Sequence, residues 1–100
     1  MKKIEMTQEE IAEAKKKLAI LTAEFTKLTP LMRGSIVSNG RRHPQPYFSL
    51  TKDHRTYGMY LGERRLPATI KMTANYARVM EIIDEMTLIN MALLKNDEIE

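Results

Sequence analysis

The sequence predicts an α+β fold: two long helices in an antiparallel coiled-coil-like hairpin, with a small antiparallel β-sheet of two or three strands inserted between them. Three observations predict it. Apolar residues recur every three or four positions between residues 11 and 28, and a wider stripe of the same period runs from 72 to 94. Between them, residues 47–61 alternate about an Asp-His pair as a β-hairpin does. At 100 residues the chain has room for one core. The expected organisation is a single domain over 1–100, with a helix over 7–28, a hairpin or small sheet over 34–62, a helix over 67–95 and a tail over 96–100.

The first helix has a start signal. Thr7 followed three residues later by Glu10 makes a capping box, in which each side chain satisfies a backbone donor of the other residue. Ile11, Ala14, Leu18, Leu21, Phe25 and Leu28 form a heptad seam, which Ile4 extends backwards. Pro30 restricts Thr29 to extended conformations and marks the end, giving a rod of roughly 33 Å.

The second helix is expected to begin near Pro67, whose missing N–H is harmless in a first turn. Its apolar positions, Met72, Tyr76, Val79, Met80, Ile82, Ile83, Met86, Ile89, Leu93 and Leu94, are too many for one partner helix. The surplus calls for a second cover: first the β-structure, then a second copy of the chain, then a foreign partner. Asn90 either fixes register within the stripe or faces solvent.

In the hairpin, Asp53-His54 lacks the glycine that a two-residue turn favours, so the loop has two residues or four. Either length pairs Thr51 with Thr56 and Leu50 with Tyr57. Alternation then places Phe48, Leu50, Tyr57, Met59 and Leu61 on a face expected against the helices, and Tyr47, Ser49, Thr51, Thr56, Gly58 and Tyr60 on an outer face. Ser35-Ile36-Val37-Ser38 is the candidate third strand, joined to the hairpin by a turn and a proline-stiffened stretch over 39–46.

Charge is unevenly placed. Residues 29–65 carry Arg33, Arg41, Arg42, Lys52, Arg55, Arg64 and Arg65 against Asp53 and Glu63, a local balance of +5, although the whole chain is only +3. Four of the six aromatic residues, Tyr47, Phe48, Tyr57 and Tyr60, lie in the same stretch. Guanidinium and ammonium groups neutralise phosphates and aromatic rings stack on bases, so the expected surface is one for nucleic acid. Its candidate residues are Arg41, Arg42, Tyr47, Lys52, Arg55, Tyr60, Arg64 and Arg65. The bland alternative is a ribbon stabilised by a cross-strand tyrosine pair among solvated charges.

Other chemistry is thin. There is no cysteine and only His43 and His54, so no zinc ligand set and no catalytic constellation is recognisable, and neither catalytic residues nor a cofactor are expected. Lys15-Lys16-Lys17 and the acids Glu81, Asp84 and Glu85 read as solvated faces. Gly40-Arg41-Arg42-His43 matches no phosphate-loop pattern. The eight methionines, several on the second helix, suit a pliable core. Met1-Lys2-Lys3 is followed by polar residues where a signal peptide is apolar, and no apolar run approaches membrane-spanning length. A soluble, cytoplasmic protein is expected.

At Leu31-Met32-Arg33-Gly34-Ser35-Ile36, Pro46-Tyr47-Phe48-Ser49-Leu50, Tyr60-Leu61 and Glu85-Met86-Thr87-Leu88-Ile89-Asn90 the chain resembles a family of small bacterial domains of unknown function. Members have a helix, a Leu-x-x-Gly-Ser segment, a Gly-Pro-Tyr-aromatic hairpin and a closing helix, and many are associated with mobile elements. The similarity covers roughly residues 15–95. Many members carry cysteines between the Gly-Ser segment and the hairpin, which implies metal binding; residues 37–45 have none here, so that implication does not transfer. The expected function is a small non-enzymatic nucleic-acid-binding protein. The alternatives are a phage or mobile-element protein that inhibits or modulates a nucleic-acid-processing protein, in the manner of an anti-CRISPR, and a structural homodimer.

Overall fold

A computed structural model describes residues 5–98; the expected seam position Ile4 lies outside them. The fold is α+β. Helix α1 (Gln8–Phe25) is followed by strands β1 (Ser35–Asn39), β2 (Gln45–Lys52) and β3 (Arg55–Tyr60) and by helix α2 (Gly62–Lys95). The strands form one antiparallel sheet in the order β1-β2-β3, so the expected third strand is present and β2 is central.

The described chain divides into two compact units. One joins the residues up to Lys27 with those from Val79 onward, and the other is Leu28–Arg78. In the first unit, Thr7 caps α1 as its sequence requires: its hydroxyl accepts from the Glu10 N–H and the Glu10 carboxylate accepts from the Thr7 N–H. Thr7→Ala should therefore lower stability by about 1 kcal/mol in urea unfolding, and an unchanged midpoint would contradict the cap. The helix ends at Phe25, earlier than the expected residue 28. The physical reason is local: Lys27 N–H donates to Glu24 O, tightening the last turn, and the Thr26 hydroxyl takes the Ala23 carbonyl.

Ile11 and Leu21 of α1 and Val79, Ile82 and Leu93 of α2 are the buried apolar residues of this unit. The Met6 N–H donates to Asn96 Oδ1, and the Lys15 ammonium meets the Glu98 carboxylate at 3.1 Å, so the start of α1 lies beside the end of α2. Phe25, assigned to the seam, is exposed at the last position of α1. Met80, Ile83 and Leu94 are also exposed. The surplus of the stripe is thus present as exposed side chains, because only one side of α2 is buried here. Asn90 is exposed as well.

In the second unit, α2 begins at Gly62, five residues before the expected start. Gly62 has φ +64, a left-handed conformation that turns the chain out of β3. Pro67 therefore lies inside the helix and removes the bond that its N–H would make to the carbonyl of residue 63. The helix continues through it: Glu63 and Pro67 are exposed, while Leu61 and Thr69 on either side are buried. The Thr69 hydroxyl is satisfied by donating to Arg65 O. Farther along, Met72 O accepts from the Met32 N–H and Asn75 Nδ2 donates to Pro30 O, fastening α2 to the segment before β1.

Opposed residues follow the expected register: Thr51 with Thr56, Leu50 with Tyr57 and Tyr47 with Tyr60. The loop is the two-residue one. Asp53 and His54 have φ 53 and 63, the left-handed pair of a type I′ turn, which Asp tolerates and which the flanking strands' twist favours. The inner face is only partly as expected. Phe48 and Leu61 are buried and Leu50 is half-buried, but Tyr57 and Met59 are 54% and 44% exposed. They belong to the edge strand β3, all six residues of which are exposed, so alternation gave the correct face without supplying a cover for it. Among the described residues no helix is long and apolar enough to cross a membrane.

Candidate nucleic-acid interface

The sheet register lines up the outer face in rows. Val37 lies opposite Tyr47, which lies opposite Tyr60; the next row is Ser35, Ser49 and Gly58; the last is Thr51 and Thr56. In the first row the Tyr47 and Tyr60 rings meet edge to face, with centroids 5.4 Å apart and planes at 69°. The Tyr60 hydroxyl donates to Gln45 Oε1 across the strands at 3.4 Å, while the residue as a whole is 47% exposed. The second row has hydroxyls and no bulk, since nothing stands within 4 Å of the space a side chain at Gly58 would occupy. Thr51 and Thr56 close the face with a 3.1 Å bond between their hydroxyls. The result is a low floor between a tyrosine wall and a threonine wall.

The topology sorts the eight candidate residues into groups. Arg41 and Arg42 are exposed in the loop joining β1 to β2, at the end of the sheet that carries Tyr47 and Tyr60. Lys52 and Arg55 flank the turn at the opposite end, about 17 Å along β2 from Tyr47. Arg64 and Arg65 stand in the first turns of α2 and line a cleft of about 530 Å³ with Met32, Met59 and Met72. Met59 belongs to the other face of the sheet, so these two arginines border that face and not the tyrosine row. Arg65 also donates to Tyr60 O at 3.0 Å.

One basic residue at the turn end was missed. Arg33 Nη1 donates to Thr51 O at 3.2 Å, occupying a carbonyl beyond the start of β1. Its signal was present in the charge count of the central segment, but its place was set by how β1 aligns with β2. Among the described residues no group of three or more His, Cys, Asp or Glu is arranged to hold a metal ion.

Together these elements define a small α+β protein with an antiparallel sheet that carries a tyrosine pair on one face and basic residues at both ends. The chain matches no family model, no curated protein and no solved structure. The resemblance carried by residues 31–36, 46–50, 60–61 and 85–90 rests on those residues alone.

Proposed function

We propose that this protein binds nucleic acid on the outer face of its sheet. The observation that carries the reading is the Tyr47–Tyr60 pair, an edge-to-face couple of a half-buried and an exposed ring at the sheet end that also bears Arg41 and Arg42. Tyr60 offers a ring for a base, the Ser49 and Gly58 row leaves room beside it, and Arg41 and Arg42 meet phosphates. Lys52, Arg55 and Arg33 extend the positive charge to the turn end. Arg64 and Arg65, bordering the other face, act on a strand only where it passes around β3.

The test is titration of labelled single- and double-stranded DNA and RNA at several salt concentrations. Affinity should fall steeply with salt, and Tyr60→Ala should weaken binding about tenfold while Arg41→Ala mainly lowers the salt slope. Absence of binding at low salt, or binding indifferent to salt, would sink the proposal.

A second reading has its own support. Met80, Ile83, Met91 and Leu94 form an exposed apolar stripe on α2, which suits a phage or mobile-element protein docking on a nucleic-acid-processing enzyme. A partner retained from nuclease-treated host lysate by the chain, and lost with Ile83→Lys, favours it. For either function we take α1 and the later part of α2 as an antiparallel coiled-coil-like hairpin. The Met6–Asn96 and Lys15–Glu98 contacts and the buried Ile11, Leu21, Val79, Ile82 and Leu93 support that pairing.

A further inference from the structure

We propose that two copies of this protein pair through β3, edge to edge and antiparallel about Gly58, joining their sheets into one of six strands. The polarity of the edge follows from the register. Leu61 N–H donates to Pro46 O, toward β2, so by alternation the N–H and C=O of Met59, Tyr57 and Arg55 also face β2. Those of Tyr60, Gly58 and Thr56 face outward. Arg65 reaches the Tyr60 carbonyl from outside the strand, in keeping with this.

These outward groups are symmetric about Gly58. An antiparallel copy sets Thr56 against the partner's Tyr60, Gly58 against the partner's Gly58 and Tyr60 against the partner's Thr56, each pair able to exchange both backbone bonds. On the cleft face Tyr57 comes opposite the partner's Met59, giving each exposed apolar side chain a sulfur–aromatic neighbour. Residues 56–60 carry no charge, and Arg55 falls beyond the paired stretch. This self-complementarity singles out a second copy over a foreign strand.

Edge strands ordinarily carry devices that prevent pairing: proline, a bulge or an inward charge. Residues 56–60 have none of these, the charge of Arg55 falling outside the paired stretch, and the register of β3 with β2 is unbroken from Arg55 to Tyr60. The arginine on Tyr60 O is a side chain that can move aside. At the other edge, the same alternation leaves β1 only Ile36 and Ser38 facing outward, a shorter template. Pairing through β3 would run the tyrosine-bearing faces of both copies together, and it stands whatever that face binds.

Sedimentation velocity on the full chain from low micromolar to several hundred micromolar should show a concentration-dependent dimer. Gly58→Pro removes only outward N–H groups, leaving the β2 ladder whole, and should weaken the dimer by about 30-fold or more. Ile83→Lys, on the exposed stripe of α2, should leave it intact. In the unaltered protein, amide exchange at Thr56, Gly58 and Tyr60 should slow as the dimer fills, a readout that does not depend on the proline variant folding. A monomer throughout the range overturns the proposal and leaves the edge to a foreign strand. A dimer that resists Gly58→Pro without slowed exchange at those three amides, or one abolished by Ile83→Lys, also overturns it, the latter assigning the contact to α2.

Discussion

Ile82→Ala should cost about 3 kcal/mol of folding stability, whereas Ile83→Ala, one position along the same helix, should cost less than about 1. Ile82 is 0% exposed and Ile83 42% exposed, so the two side chains, chemically identical, differ only in what surrounds them. Alanine is a better helix former than isoleucine, so neither substitution weakens α2 through propensity. The loss at 82 is that of removed methylene groups plus the cavity they leave among packed neighbours; at 83 there is little packing to lose. Urea unfolding followed by circular dichroism measures both. Equal shifts for the two variants would mean that the buried side of α2 is misassigned, and would remove support for the proposed pairing of the helices.

Gly34→Ala should be comparably damaging, about 3 kcal/mol, for a different reason. A Cβ at this position would stand 2.5 Å from Phe48 Cζ and 2.7 Å from Ser49 O. The ring belongs to a buried residue and the oxygen to the central strand, so neither can retreat cheaply. The backbone φ of +153 adds strain for any L side chain. Gly58→Ala is the control: with nothing within 4 Å of the added methyl, its effect on stability should be near zero. Thermal unfolding should show a large drop in midpoint for the first variant and almost none for the second. A tolerated Gly34→Ala would show that Phe48 does not lie over the glycine.

Much of the sheet was legible from its residues. Alternation and a turn at Asp53-His54 were enough to pair Tyr47 with Tyr60 and Thr51 with Thr56, because a register slip would have moved every side chain to the opposite face. The turn type was harder to see, since aspartate and histidine adopt positive φ less readily than glycine does. Pro67 misplaced the start of α2. A preference for first turns is a tendency, and here the helix starts five residues earlier, at the left-handed Gly62, with Leu61 and Thr69 buried on either side of the exposed Pro67. The candidate site was legible as a composition and not as a place. Eight residues named together divide into a tyrosine end, a turn end with Arg33, and a pair bordering the other face.

By itself, then, the sequence determined what is local or periodic. That includes the capping box at Thr7 and Glu10, the helical stripes, the hairpin register and the concentration of charge and aromatic rings between the helices. These depend on neighbours a few residues apart or on a repeat of fixed period, so the chain specifies them before it folds. Only the tertiary structure decided which members of each stripe are covered. Ile82 and Ile83, or Phe48 and Tyr57, are equivalent in pattern and opposite in burial, because burial depends on what the rest of the chain brings alongside. The same holds for the tyrosine pair: it is written in the register, but Tyr60 is exposed on the edge strand while Tyr47 is half-buried on the central one.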